Sequence, residues 1–373
     1  MIRENNRTDR TDRINKKYDT SEFKTLSFGQ KDLFLNPEDI ETPYRRRKDD
    51  EKTAISWGQR KLLITLVQFL TYFWKVSEVP NPVIVYAGAA PGISIAIASL
   101  LFPEVTFHCY DPLPYKIKST KKIKLYQDFF TDETAKYWGE QQKKDKNIFF
   151  ISDIRTADYL LAKDLDDNES QIWGDMENQK RWHKIIKPVK SHLKFRLPYT
   201  GGNRPEEVKY LYGYLLKQPY AGQTSTESRL VPLDNDTETL WSCRKYQSQM
   251  FHHNIVVREK YKYLNPFTND LTPLDGEELT NEWDYRAESQ VWMDYLQVRT
   301  GKVDWTAVKA LSRLATTKIT EKRRYKDTLK YLRSHPRAIK DRNIKPSRED
   351  IDNVVIQMEQ DEDLLLLESL GVM

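Results

Sequence analysis

Val83-Ile84-Val85-Tyr86-Ala87-Gly88-Ala89-Ala90-Pro91-Gly92 is the stretch on which the fold class turns. Val83 to Tyr86 is a short apolar run of the buried-strand type, entered after Pro80 and Pro82. The glycines then turn the chain, and Ser94 to Phe102 continues as an apolar helix. The same alternation extends downstream. Thr106 to Tyr110, ending in Asp111, Ile123 to Tyr126 and Asn147 to Ser152 read as strands, with a helical stretch from Asp132 to Gln142 before the last. Glu169 to Ile186 reads as a helix and His192 to Pro198 as a strand, while Arg229 to Leu233 and Thr239 to Cys243 form a closing strand pair. Upstream, Leu62, Leu63, Leu66, Phe69, Leu70 and Phe73 recur at helical spacing, which predicts an amphipathic helix over Ser56 to Val76 with Ser56 capping its start. Strands alternating with helices imply an α/β fold, a mostly parallel central sheet flanked by helices.

The length, 373 residues, holds one large domain with terminal extensions. Residues 1–50 read as a polar N-terminal arm, 51–315 as the folded domain, and 316–373 as an extension that is basic and then acidic. Lys and Arg number 60 against 55 Asp and Glu, so the net charge of +5 is mild and only local clustering can implicate a polyanion. One such cluster runs from Lys318 to Lys345 and contains Tyr325 and Tyr331, a composition suited to tracking RNA. Arg45-Arg46-Arg47-Lys48 is offset at once by Asp49, Asp50 and Glu51 and reads as a solvated segment. From Glu359 to Leu370 the chain is acidic and leucine-rich, a surface for a polymerase or self-association contact, with Ser347 and Asp350 as a capping box before it. Cys109 and Cys243 lie in apolar runs with neither metal-ligand nor disulfide spacing, so no metal is expected and a reducing compartment is. No run approaches the roughly 20 apolar residues that cross a bilayer, and Met1 to Lys17 is polar, so a soluble intracellular chain with no membrane contact is expected.

Three constellations carry chemistry. Gly88 and Gly92 let the backbone turn at the carboxyl end of the first strand, and Asp111, one strand later, can accept both hydroxyls of a ribose. That suits an adenosine cofactor, either a dinucleotide or S-adenosylmethionine. Pro91, between the second and third glycine positions of the nucleotide fingerprint, and the lack of a phosphate-binding loop after Gly92 argue against the dinucleotide. Ile151-Ser152-Asp153-Ile154-Arg155 places a carboxylate at a strand's carboxyl end, where it faces the ligand crevice or caps a loop. Leu193-Lys194-Phe195-Arg196-Leu197-Pro198-Tyr199 sets a lysine within an apolar strand. Burial and a neighbouring cation make such a lysine a proton acceptor near neutral pH, unless it snorkels or pairs at a sheet edge.

With Gly58-Gln59-Arg60-Lys61-Leu62-Leu63 added, the chain resembles the poxvirus cap-specific mRNA nucleoside 2′-O-methyltransferases, which also serve as processivity subunits of the viral poly(A) polymerase. The resemblance runs discontinuously from about Tyr44 to about Leu314 on five ordered motifs. It implies a Rossmann-like S-adenosylmethionine-dependent methyltransferase fold with a Lys-Asp-Lys-Glu tetrad. Lys61, Asp153, Lys194 and Glu227, in Ser225-Thr226-Glu227-Ser228-Arg229, take those places. Lys194 is then the general base, Lys61 the charge that lowers its pKa, and Asp153 and Glu227 the groups that orient the two ammoniums. S-adenosylmethionine contacts are implied for Gln59, Tyr86, Gly88, Gly92 and Asp111, with Phe130 beside the adenine. Leu113 stands where the family has an arginine.

Cap recognition in the family sandwiches a methylated guanine between two rings, for which Tyr44 and Tyr199 stand here. Ser225 and Gln247 fall in the same cap-binding motifs, and Arg196 and Arg229 read as RNA phosphate contacts or as ion-pair partners. Gly201 replaces a family aspartate and Gln247 a glutamate, which weakens discrimination for 7-methylguanine or passes it to Glu206, Glu207 or the arm. The implied partners are capped mRNA and a poly(A) polymerase catalytic subunit, with self-association as a further possibility, in the virion and host cytoplasm of a large DNA virus. A catalytically silent processivity subunit is the alternative.

Overall fold

The computed structural model describes residues 25–45, 55–157, 161–222, 225–270, 282–319 and 362–372. Twelve strands are described. In chain order they are β1 (Thr25–Leu26), β2 (Phe34–Leu35), β3 (Val83–Ala87), β4 (Thr106–Tyr110), β5 (Ile123–Tyr126), β6 (Ile148–Ser152), β7 (Lys190–Phe195), β8 (Glu207–Leu211), β9 (Gly213–Leu216), β10 (Ser228–Pro232), β11 (Glu238–Ser242) and β12 (Lys262–Tyr263). The principal helices are α1 (Ile55–Phe73), α2 (Ile93–Leu101), α3 (Asp132–Asp145), α4 (Leu165–Ile186), α5 (Cys243–His252), α6 (Glu282–Thr300), α7 (Trp305–Lys318) and α8 (Glu362–Ser369).

Eight strands form one sheet in the order β2-β9-β10-β7-β6-β3-β4-β5. From β7 to β5 all neighbours are parallel, and β10, β9 and β2 extend the sheet antiparallel. This is the mixed α/β fold, its mostly parallel sheet flanked by helices, that the strand–turn–helix alternation predicts. The carboxyl ends of β3, β4, β6 and β7 therefore lie along one edge with the amino end of β10, and every motif residue that ends one of those strands meets the others there.

Three expectations are corrected. Ser228–Pro232 and Glu238–Ser242 do not pair with each other: β10 sits between β7 and β9, while β11 pairs with β8 in a separate two-stranded sheet. The reason is β9, which claims the free edge of β10 at a place where any side chain on Gly213 would fall 2.1 Å from the Val231 carbonyl. Second, α1 already begins at Ile55, so Ser56 lies inside it, and the helix is buried on more than one face. Phe69 packs on Phe149 of β6 and stacks on His192 of β7, whereas Arg60 and Tyr72 bond Glu288 and Asp294 of α6. A helix clamped between a sheet and a second helix layer has little solvent face to show. Third, α4 starts at Leu165, where the Asp164 side chain accepts from the amide of Asp167.

The described part of the N-terminal segment is built in. Phe34–Leu35 is a strand of the main sheet, and the Gln249 amide of α5 donates to the carbonyls of Asn36, Pro37 and Asp39. At the other end α8 returns to the domain, placing Leu364, Leu367 and Val372 in the core with Leu311 and Leu314 of α7. The Arg46–Lys48 run, Ser347, Asp350 and the basic stretch after Lys318, with Tyr325 and Tyr331, lie outside the described residues. Cys109 and Cys243 are buried thiols, and no described helix is long and apolar enough to cross a membrane.

Candidate active site

Four elements bring four charged side chains to the carboxyl edge of the sheet. Lys61 projects from α1, Asp153 is the first residue after β6, Lys194 is on β7, and Glu227 immediately precedes β10. Lys61 Nζ lies 2.7 Å from Glu227 Oε1, and Lys194 Nζ lies 3.5 Å from Glu227 Oε2 and 3.1 Å from Asp153 Oδ1. One carboxylate thus bridges two ammonium groups and a second holds the inner one. These side chains are only 12–16 % exposed, so their attraction is poorly screened and their geometry is fixed.

Register explains why carboxylates are needed here. Arg229 of β10 stands directly opposite Lys194, so two cations share one face of the sheet. The Arg229 guanidinium is fully buried: it donates to Asp153 Oδ1 at 2.6 Å, to Gln218 Oε1 at 2.8 Å and to the Ser152 carbonyl at 3.4 Å. A group so enclosed does not reach an RNA phosphate, and its place is under the tetrad. Gln218 completes that layer by donating to Glu227 Oε1 at 3.3 Å. Arg155, two residues past Asp153, adds a fourth cation, 3.7 Å from Glu227 Oε2 and 4.0 Å from Asp175. Sequence reasoning quoted Arg155 within a motif and gave it no role; for Gln218 no local signal exists.

Burial and charge pull in opposite directions on these groups. Burial pushes the Lys194 ammonium below the ordinary lysine range against the pull of Asp153 and Glu227, and Arg155 and Lys61 add to the lowering. Burial alone would raise Asp153, but Arg229, Lys194 and Lys61 hold it at about 2. Glu227 is likewise held well below the carboxylate range, against its burial, chiefly by Lys194 and Lys61. Once Lys194 is neutral, the cations Lys61, Arg155 and Arg229 face the carboxylates Asp153, Asp175 and Glu227 in equal number. The cluster therefore keeps its balance when Lys194 lacks a proton.

Next to the tetrad lies the glycine turn. Gly88 has φ +81, and a Cβ there would fall 2.8 Å from the backbone carbon of Asp153 and the nitrogen of Ile154. Gly92, at φ +86, caps α2, and a Cβ on it would fall 2.8 Å from Ile117. Asp111, buried at the end of β4, accepts from the amides of Ala90 at 3.0 Å and Leu113 at 2.8 Å. Burial raises its pKa, while those two amides oppose the rise. A carboxylate offers about four lone-pair positions, so acceptor capacity remains for the hydroxyls of a ribose. Gln59 Oε1 accepts from the amide and hydroxyl of Ser94 at 3.4 and 3.3 Å, tying α1 to the turn. Tyr86 is buried on β3, and Phe130 is buried among Tyr110, Phe150 and Trp182. Tyr115, which sequence reasoning missed, has a buried hydroxyl with no partner and a ring atom 3.3 Å from the Cβ position of Gly92. An orphaned donor beside a left-handed glycine turn and an acidic acceptor fits a polar adenosine ligand.

Tyr44 and Tyr199 do meet. Their rings stack with centroids 4.7 Å apart and planes at 26°. A base between them needs two carbon contacts, roughly 7–8 Å, so the slot is closed in this structure. Arg196 is not displayed for a phosphate: its guanidinium lies 4.6 Å over the Tyr199 ring and pairs with the buried Glu169 at 2.5 Å. Glu169 also accepts from the Tyr199 amide at 3.2 Å, and Gln247 Oε1 accepts from the Thr200 amide at 3.0 Å. Gln247 is thus a buried strut for the ring-bearing loop. Ser225 Oγ accepts from the Glu227 amide at 3.2 Å and positions the tetrad glutamate. Gly201, at φ +107, adopts a backbone that side-chain-bearing residues rarely hold. Glu206 is engaged by Arg244 on the surface at 3.1 Å.

A family profile described as poly A polymerase regulatory subunit matches residues 31–291, well over half of the chain. Among curated proteins, the cap-specific mRNA (nucleoside-2′-O-)-methyltransferase of fowlpox virus (strain NVSL) is 26% identical over 264 residues, covering 64% of this chain and 80% of the relative. The protein of the same name from myxoma virus (strain Lausanne) is 23% identical over 259 residues, covering 64% of this chain and 73% of the relative.

Proposed function

The chain belongs to the poly(A) polymerase regulatory subunit family, and on that premise we propose that it is an S-adenosylmethionine-dependent methyltransferase acting on a ribose 2′-hydroxyl next to the 5′ cap of mRNA. The observation that carries the reading is the pair of lysines bridged by Glu227, with the inner one, Lys194, also held by Asp153, beside the glycine turn. A ribose hydroxyl is a poor nucleophile at neutral pH, so a site that methylates it must remove its proton and fix its direction of approach. When bound, S-adenosylmethionine supplies a methyl group on a positively charged sulfur. Gly88, Gly92, Asp111, Gln59 and Tyr115 would hold it, with Tyr86 and Phe130 as buried neighbours. Lys194, whose ammonium burial makes easier to deprotonate, takes the hydroxyl proton in its neutral form and becomes an ammonium paired with Asp153 and Glu227. Lys61 stays paired with Glu227, and Arg229 fixes both carboxylates from below. Tyr44 and Tyr199 would part to admit the cationic base of the cap.

The test is transfer of labelled methyl to short RNA bearing a 7-methylguanosine cap, an unmethylated cap or no cap, followed by digestion to nucleosides. Label on the ribose of a cap-adjacent nucleotide, lost when that nucleotide is 2′-deoxy, is the expected result. Label on a base, or none with any RNA, refutes the reading. Family membership supports a second role alongside the first, as RNA-binding processivity partner of a poly(A) polymerase catalytic subunit. Addition of the chain to such a subunit is then expected to lengthen the tails made per binding event. Both roles suit work on viral mRNA in the cytoplasm and packaging with the transcription machinery in the particle.

A further inference from the structure

The far edge of the sheet carries a surface that the tetrad and the cap loop do not use. Among the described residues β5 is the last strand of the sheet, with only β4 beside it. Between Pro114 and Gln127 the chain holds five lysines and no carboxylate, and Lys116, Lys121, Lys122 and Lys124 are all exposed. Aromatic rings sit among these charges. Register pairs His108 with Lys124 and Tyr110 with Tyr126, which puts those four side chains on one face of the two strands. Tyr126 stacks on Tyr110 with centroids 4.5 Å apart and planes at 10°, and it is still 39 % exposed. Tyr137 of α3, 56 % exposed, extends the surface through Trp138, whose ring meets His108 edge-on at 4.7 Å.

The geometry points to a second RNA-binding site, a single-stranded platform on which Lys121, Lys122 and Lys124 take phosphates while Tyr126 and Tyr137 offer their rings to bases. Charge selects the occupant: a lysine run without carboxylates complements a polyanion, whereas lysine is depleted in the core of protein–protein contacts. Exposed rings among lysines are the device by which single strands are held without regard to sequence. β5 stands four strand spacings from β7, roughly 19 Å from the strand that bears Lys194, so this platform is distinct from the reacting ribose. Lysines also guard a free sheet edge against strand pairing, and that is the rival account.

The experiment measures binding of an uncapped, single-stranded oligouridylate to the full chain without methyl donor, by fluorescence anisotropy over a series of salt concentrations. Two variants are compared with wild type, Lys121→Ala/Lys122→Ala/Lys124→Ala and Tyr126→Ala. The triple variant is expected to flatten the slope of log affinity against log salt by about 2, near 0.7 per phosphate lost. Tyr126→Ala is expected to weaken binding roughly tenfold while leaving that slope unchanged. Methyl transfer to a short capped RNA, measured on the same variants, stays at the wild-type level, which separates this surface from the proposed active site. Unchanged affinity and slope in both variants would overturn the platform and leave the lysines as an edge guard. Loss of polymerase-subunit binding with RNA binding intact would overturn it in favour of a protein contact.

Discussion

Arg229→Met removes the guanidinium that lies beneath both carboxylates of the tetrad and leaves a side chain of similar length. Asp153 loses its 2.6 Å partner, Gln218 loses its donor at 2.8 Å, and Glu227 loses a cation at 3.8 Å. Because Arg229 is fully buried and Asp153 nearly so, water does not replace what is lost. Breaking a buried ion pair from one side costs about 3–5 kcal/mol. Against a total stability of about 5–15 kcal/mol that is a large fraction. In thermal unfolding followed by circular dichroism at neutral pH, the variant is expected to melt roughly 4–7 °C below wild type. Arg229→Lys keeps the charge but not the planar fork that reaches Asp153, Gln218 and Ser152 at once, so it falls between the two. A melting temperature for Arg229→Met within about 1 °C of wild type would refute the argument that this buried cation holds the tetrad.

Three further outcomes follow from the same geometry. Asp153 sits at about 2 in the folded chain against an ordinary 3.8, so its pairing contributes stability that is fully present above the ordinary value and is lost as pH falls toward 2; Asp153→Asn should flatten that part of an acid-unfolding curve, and an unchanged curve would contradict the pairing. Gly88→Ala forces a Cβ to within 2.8 Å of the Asp153 backbone at φ +81, which is expected to destabilise by about 1–3 kcal/mol and abolish S-adenosylmethionine binding in calorimetry. Tyr199→Ala removes one ring of the stacked pair, so affinity for a 7-methylguanosine cap analogue should fall by roughly 30-fold while Tyr199→Phe stays near wild type; equal binding by all three would show that the rings do not take the base.

The order of strands and helices around the glycine turn was legible because each element is local: apolar runs of strand length, glycines, then helical periodicity. Lys61, Asp153, Lys194 and Glu227 were named from their motifs, and the fold brings them to one edge of the sheet: Asp153 follows β6, Glu227 precedes β10, Lys194 is the last but one residue of β7 and Lys61 lies in the second turn of α1. What could not be read depends on pairing across long separations. Nothing near Arg229 says that its strand lies opposite Lys194, and without that register the arginine that follows Glu227 and Ser228 reads equally as a phosphate contact or as an ion-pair partner. Arg60 likewise follows no local rule; its partner Glu288 is 228 residues away on α6. The strands Glu207–Leu211 and Gly213–Leu216 were missed because the first is short and mixed with charge and the second is only four residues long and opens on a glycine, and so the partners of β10 and β11 were misassigned. Tyr44 and Tyr199, named together from the resemblance, are neighbours in the fold, but no local signal shows that their rings close on each other.

Single-turnover methyl transfer to capped RNA across pH, with wild type beside Lys194→Ala, tests the central claim most directly. Burial lowers the Lys194 ammonium below its ordinary 10.5, so the wild-type rate should climb as pH rises through an ionisation under that value and be lost as pH falls. The variant should bind S-adenosylmethionine as wild type does yet transfer roughly 100- to 10,000-fold more slowly, with no such climb. A Lys194→Ala protein that transfers within about tenfold of wild type and keeps the same pH profile would contradict the assignment of the general base, and with it the account of the site.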